Sequence, residues 1–323
     1  MDEARCAEGS SNAAAWLALT LLMAIVAVFQ LVRPFTFAQG SWDPLFTLGG
    51  GFALVGFLFS RFRANHEFTQ IFLTFIQMLL FSTFGAILSY QLARFDAPLA
   101  DHYLWAFDRA LGFDWMRWMQ WLENQPRTAA ALRFAYGSLI PQIALLVILL
   151  GHGRQLTTLR TVILAGILTG VTCITISGAV PALGYPPLMG VRQGQFLNVE
   201  PIGGIVQLHD LVALRHGQLS AIHLPSLKGI VTFPSYHAGL SLVTAYGFWN
   251  CRQGWIKWPG LVLAATTIAA TPIIGGHYLA DVVAGLAIAA ACIVASRQAI
   301  RWQPALTFLT ALPSRRSRAA FAR

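Results

Sequence analysis

Thr232-Phe233-Pro234-Ser235-Tyr236-His237-Ala238-Gly239 and Gly275-Gly276-His277-Tyr278-Leu279-Ala280-Asp281 each stand at the mouth of a long apolar segment. An ionisable group in or beside a bilayer-spanning helix is costly to hold and usually faces a polar cavity or another charge. Two histidines and a carboxylate in such places need a chemical reason, and the apolar segments behind them decide the fold.

Of the 323 residues, 56% are hydrophobic and only 11% charged, with a mean hydropathy of +0.60, which excludes an ordinary soluble domain. Apolar runs of spanning length are read at Ala14–Val32, Leu45–Ser60, Phe68–Leu92, Ala129–Leu150, Leu159–Val180, Tyr236–Cys251, Leu261–Ile274 and Tyr278–Ser296. The pattern predicts an all-α, polytopic membrane helix bundle of about eight spans. Asp2, Glu3 and Glu8 oppose Arg5 ahead of the first run, so that run is expected to be a retained helix and not a signal peptide. Cys6, Cys173, Cys251 and Cys292 are scattered and suggest packing, with no disulfide framework.

The formal charge of +9 is concentrated at one end, in Arg297, Arg301, Arg315, Arg316, Arg318 and Arg323. A basic tail beside a final span marks the cytoplasmic face, so no nucleic-acid partner is expected and both termini are assigned to the cytoplasm. The chemistry then falls on the opposite side, which is the periplasmic face for a bacterial inner membrane.

Two long connections lie on that side. Residues 93–128 carry Trp105, Phe107, Leu111, Phe113, Trp115, Met116, Trp118, Met119, Trp121 and Leu122, with Asp108, Arg109, Asp114 and Arg117 interspersed at helical intervals. This predicts one or two amphipathic helices lying in the membrane interface. Residues 181–233 open with the helix-breaking Pro181-Ala182-Leu183-Gly184-Tyr185-Pro186-Pro187 and bring Arg192, Arg215 and Lys228 to the face of His237 and His277, which suits an anionic ligand.

His277 and Asp281 are four apart, and a helix beginning near Gly276 would place them on one face. A carboxylate there can fix the imidazole tautomer and stabilise the imidazolium. The histidine is then a candidate nucleophile toward a phosphorus or carbonyl centre. His237 follows Pro234, which suits a first helical turn, and Ser235, which offers a hydroxyl. A helix N-terminus attracts anions, and an imidazole there can protonate a leaving oxygen. Other readings of the same residues stay open: structural histidines, a zinc site drawing on His209, His216 and His223, a transporter's proton relay, or a lipid-binding scaffold. No tight multidentate spacing supports a metal, and no metal or cofactor is expected.

Phe233-Pro234-Ser235-Tyr236-His237-Ala238-Gly239, followed by His277-Tyr278-x-x-Asp281-Val282-x-x-Gly285, resembles the second and third signatures of the type 2 phosphatidic acid phosphatase superfamily. The His-Tyr-x-x-Asp form is most similar to the inositol phosphorylceramide synthase-like and sphingomyelin synthase-like branch. Weaker resemblance covers Asp108–Trp115, Pro181–Pro187 and Leu214–Gly217. It implies two extra N-terminal helices in residues 1–68 and a six-helix catalytic core in 69–297, which contains interfacial helices (93–128) and an active-site loop (181–233). A basic tail follows in 298–323. The implied chemistry is metal-independent and runs through a phosphohistidine, with His277 the nucleophile, Asp281 its orienting partner and His237 the general acid. Ser235, Tyr236 and the neighbouring backbone would hold phosphate oxygens.

The implied substrates are membrane lipids. The expected reaction is transfer of a phosphodiester headgroup to ceramide or diacylglycerol, with hydrolysis of a lipid phosphate or polyprenyl pyrophosphate as the alternative. Two pieces of the family pattern are absent. The Lys-x6-Arg-Pro first signature is reduced to Arg33-Pro34 with Val26 at the lysine position, and Thr271 stands where an arginine would precede the nucleophile by six residues. Since a transferring phosphoryl group needs cationic donors, Arg215, Lys228 and Arg192 are the expected substitutes. The oligomeric state is not legible in the sequence.

Overall fold

The structure is a computed structural model that describes residues 12–62, 66–192, 194–199 and 205–310. Three long helices, α1 (Ala13–Val32), α2 (Asp43–Phe62) and α3 (His66–Ala93), lead into two short ones, α4 (Asp101–Ala110) and α5 (Trp115–Glu123). Then come α6 (Pro126–Gly137), α7 (Leu139–His152), α8 (Leu156–Ala179), the one-turn α9 (Tyr185–Leu188) and α10 (Ile205–Arg215). The chain finishes with α11 (Tyr236–Trp249), α12 (Gly254–Ile274) and α13 (Leu279–Thr310). Strands β1 (Thr36–Phe37) and β2 (Ala221–Ile222) pair in parallel and tie the α1–α2 connection to the segment after α10.

The protein is a polytopic helical membrane protein. Helices α1, α2, α3, α8, α12 and α13 are long and apolar enough to cross a bilayer, and α6 with α7 makes a seventh span if the 52° bend between them is counted within one crossing. The run expected as one helix over Ala129–Leu150 breaks at Ser138, whose hydroxyl turns back to the Ala135 carbonyl (2.8 Å). The run expected over Tyr236–Cys251 forms α11, which has 14 residues. At 1.5 Å per residue it is about 21 Å long, short of the ~30 Å apolar core of a bilayer. It still reaches the far end of the bundle, where Gln155 Nε2 donates to the Asn250 carbonyl (2.7 Å). Helix α12 begins earlier than expected and carries Pro259 and Pro272 within it.

Helix α8 is apolar all round, and so it is buried in the middle, against α1, α3, α11 and α13. Helices α11 and α13 approach at their N-terminal ends through Gly239 and Gly285: a Cβ on Gly239 would stand 2.9 Å from the Gly285 carbonyl oxygen, and one on Gly285 would strike the Ser235 carbonyl. Small residues at a crossing let backbones approach this closely. The Ser235 N–H then donates to the Asp281 carbonyl (3.0 Å), fastening the two histidine motifs to each other.

The first long connection forms the two amphipathic helices α4 and α5. One part of the sequence reading is corrected there: Asp108, read as a member of the polar face, is fully buried. Arg109 and Asp114 do remain outside, 3.7 Å apart.

Candidate active site

Helix α13 starts at Leu279 and not near Gly276, so His277 sits in the turn that precedes it. Gly276 takes the left-handed conformation (φ 67°) that a helical residue does not adopt. Asp281, on the first turn, folds back so that Oδ2 accepts from the Tyr278 N–H (3.0 Å) and meets His277 Nδ1 at 3.1 Å. The expected His277–Asp281 pairing is therefore formed across the helix start and not along a helix face. With Asp281 ionised, the contact favours a proton on Nδ1, which leaves Nε2 of a neutral imidazole unprotonated. Asp281 is fully buried, His277 is 6% exposed, and Asp281 Oδ1 has no hydrogen-bond partner among the described residues.

His237 lies on the first turn of α11. Pro234, joined to Phe233 by a cis peptide bond, precedes the helix, and Ser235 is its cap, with Oγ accepting from the Ala238 N–H (3.3 Å). The His237 ring stacks on Tyr136 of α6, with centroids 4.1 Å apart and planes 12° from parallel. Tyr136 in turn reaches toward His277. A Cβ on Gly275 would lie 2.8 Å from His277 Cδ2 and 2.9 Å from Tyr136 Oη, so the phenol and the His277 imidazole both border that glycine.

Helix α4 holds this turn from behind with two buried carboxyl groups. Asp101 Oδ1 accepts from the Gly184 N–H (2.9 Å) and the Tyr278 hydroxyl (2.8 Å), and its carboxylate also takes the Leu183 N–H. Asp108 accepts from the Tyr185 hydroxyl (2.8 Å), the Leu279 N–H (2.8 Å) and the Ala280 N–H (3.3 Å). The last two are orphan donors of a helix start, so Asp108 caps α13 from a distant helix and meets the positive end of its dipole. Burial pushes the Asp108 carboxyl upward against the opposing pull of those three donors, and burial together with Asp108 pushes the Tyr185 hydroxyl upward too. Tyr185 is wedged between Trp115 (5.4 Å, nearly parallel) and Tyr278 (4.5 Å). Sequence reasoning missed Asp101, Tyr136, Tyr185 and Tyr278. The seven-residue spacing of Asp101 and Asp108, which puts them on one face of α4, was the available signal.

The expected phosphate-binding residues are placed as follows. Ser235 is fully buried, with Oγ occupied as the helix cap. The Tyr236 hydroxyl donates to the Gly166 carbonyl (3.3 Å), and its ring lines an apolar cavity of about 80 Å³ with Phe81, Ile143, Ile163 and Leu240. Arg215 is held by Asp96 Oδ1 (2.7 Å) and the Ala97 carbonyl (2.9 Å) in the α3–α4 connection. Arg192 and Lys228 are exposed. Thr271, at the position of the family arginine, is fully buried and gives its hydroxyl to the Thr267 carbonyl (2.8 Å). Among the described residues no three His, Cys, Asp or Glu side chains converge as metal ligands. His209 and His223 face Asp210 and Ser226 respectively.

The fold and the converging motifs define a helical membrane protein with a buried histidine–carboxylate pair and a second imidazole at one end of its bundle. The PAP2 superfamily profile matches residues 102–295, about three fifths of the chain, from α4 well into α13. The chain belongs to this superfamily of membrane phosphatases and phosphotransferases. No curated protein and no solved structure matches it.

Proposed function

We propose that this protein is a lipid phosphotransferase that works through a phosphohistidine at His277, in the manner of the inositol phosphorylceramide synthase-like branch. The observation that carries the reading is the 3.1 Å contact between His277 Nδ1 and the fully buried Asp281, on the same turn that Tyr136 links to His237. His277 Nε2 attacks the phosphorus of a headgroup phosphodiester. The nitrogen–phosphorus bond forms as the bond to the leaving oxygen breaks, and that oxygen takes a proton from His237. His237 then accepts the proton of an acceptor hydroxyl, whose oxygen attacks phosphorus and releases His277. Asp281 holds the imidazole and supports its positive charge throughout.

Transfer to a lipid alcohol such as ceramide or diacylglycerol is favoured over hydrolysis of a monoester by the scarcity of cations at the turn. A phosphodiester carries a single negative charge and needs less neutralisation. Arg192 and Lys228, exposed on the 181–233 segment, are the cations this reading offers to an approaching phosphate. The site end is assigned to the periplasmic face and both termini to the cytoplasm. The test is to incubate purified protein with fluorescent ceramide or diacylglycerol and phospholipid donors, beside a phosphate-release assay, for wild type and His277→Ala. Headgroup transfer lost in the variant supports the proposal, water-only phosphate release lost in the variant replaces it with a phosphatase, and neither activity in folded wild type across a broad lipid panel refutes it.

A further inference from the structure

Four tyrosines of the protein are buried: Tyr90, Tyr136, Tyr185 and Tyr278. Three of them donate their hydroxyl to a carboxylate, Tyr90 to Asp210 (2.6 Å), Tyr185 to Asp108 (2.8 Å) and Tyr278 to Asp101 (2.8 Å). A buried phenol ordinarily finds such a partner, because leaving a polar group dry and unpaired is costly. Tyr136 does not. It is 7% exposed, among the described residues its hydroxyl has no hydrogen-bond partner, and that oxygen is not sealed from the surface. It is also the one of the four that stands between the two catalytic imidazoles. Its ring lies flat on His237, and its oxygen shares the space over Gly275 with His277 Cδ2.

We propose that Tyr136 is a substrate-binding residue, its hydroxyl donating a hydrogen bond to a non-bridging oxygen of the phosphoryl group at His277 while its ring fixes the plane of His237. The proposal rests on the phosphohistidine reading above and supplies what that reading lacks. Thr271, at the position of the missing arginine, faces its own helix, and the phenol is a donor within reach of the same turn. A neutral donor stabilises a phosphodiester's developing charge without the desolvation cost of a buried guanidinium, and so it fits a monoanionic substrate better than a dianionic one. The glycine at 275 is part of the device, since a Cβ there would press on both the phenol oxygen and the His277 ring.

Tyr136→Phe keeps the ring stack and removes only the donor. Orthovanadate, which mimics a pentavalent phosphoryl centre, is titrated into detergent-solubilised wild type, Tyr136→Phe and His277→Ala, and thermal stability is followed in parallel. Tyr136→Phe is expected to bind vanadate about ten- to a hundredfold more weakly and to lose headgroup transfer by a comparable factor, as when one donor to a developing oxyanion is removed. Its melting point should stay near that of wild type, because no hydrogen bond within the protein is lost. A purely structural tyrosine would give the reverse pattern, with a lower melting point and unchanged vanadate affinity. Vanadate binding by Tyr136→Phe equal to wild type, with His277→Ala defective, overturns the role of Tyr136 and leaves the phosphohistidine standing. Vanadate binding that is absent from wild type, or indifferent to His277→Ala, overturns both.

Discussion

Replacing Asp108 with alanine removes the clamp between α4 and the turn that carries His277. Two donors at 2.8 Å, the Leu279 N–H and the Tyr185 hydroxyl, lose their acceptor, and the Ala280 N–H at 3.3 Å loses a weaker one. Each stranded buried donor costs about 1–3 kcal/mol, and loss of the carboxylate from the helix start removes up to about 1 kcal/mol more. Relief of the carboxyl's own burial, which already pushes its pKa up, offsets part of this. A net loss of about 3 kcal/mol is expected. If that energy is spent in letting the turn leave its productive position, turnover falls about a hundredfold, at roughly 1.4 kcal/mol per factor of ten. The assay is thermal unfolding in detergent alongside lipid turnover, with Arg109→Ala on the exposed face of the same helix as a control. Because Tyr185→Phe deletes one of the stranded donors, adding it to Asp108→Ala should restore about 1–2 kcal/mol, a coupling that a double-mutant cycle reads directly. An Asp108→Ala protein with an unchanged melting point and turnover within about twofold of wild type would refute the clamp.

Asp281→Asn is expected to preserve the fold, since the amide oxygen can still accept from Tyr278 N and His277 Nδ1, but to cut turnover on the order of 10²–10⁴-fold by withdrawing charge support from the imidazole; single-turnover kinetics measure it. Gly275→Ala would press a methyl group to 2.5 Å from the Thr271 carbonyl oxygen and against both His277 and Tyr136, so activity should be lost even where circular dichroism shows the helices intact. Arg215→Ala is expected to lower stability by about 1 kcal/mol, since its ion-pair partner Asp96 is more than half exposed, while turnover in a folded variant stays near normal. Collapse of turnover at unchanged melting point would instead return Arg215 to the phosphate site. Burial nudges the Glu123 carboxyl upward, but the Leu197, Val199 and Asn198 N–H groups together hold it below the usual carboxylate range. Its anchoring of the 197–199 segment is thus present above the unfolded-state pKa and lost as pH falls through the depressed folded value. Proteolysis of that segment should increase toward acid pH in wild type and be pH-independent in Glu123→Gln.

The membrane-bundle class was readable because each apolar run is a local property of the chain, and the His277–Asp281 pair because four residues separate its members. The bend at Ser138 and the shortness of α11 were not, since a serine hydroxyl turning onto its own helix changes no hydropathy. The α4 clamp was hidden for a different reason. Asp101 meets Tyr278 and Asp108 meets Leu279 across sequence separations of 177 and 171 residues, and the seven-residue spacing of the two aspartates shows only that they share a helix face, not what that face meets. Reading Arg215 as a phosphate clamp treated a cation in a long loop as free, whereas folding brings Asp96 to it. Tyr136 carried no signal at all. Its importance arises only when the end of α6 lies across His237 and beside Gly275.

The charges around His277 bear on the kind of phosphate the site would accept. Asp101, Asp108 and Asp281 are all buried around the turn, while Arg215, a guanidinium candidate of the sequence reading, is paired with Asp96. Coulomb repulsion grows in proportion to the charge brought in. A dianionic monoester would therefore meet twice the penalty of a phosphodiester, in a place where water screens poorly. What would compensate in the proposed reaction is short-ranged: a hydrogen bond from His237, the imidazolium character that Asp281 would support in His277, and the phenol of Tyr136. Each is a hydrogen-bond donor or local charge aimed at one oxygen, and none is a long-range attractor. A site so composed would discriminate by geometry at the phosphorus and leave capture of a lipid substrate to the membrane.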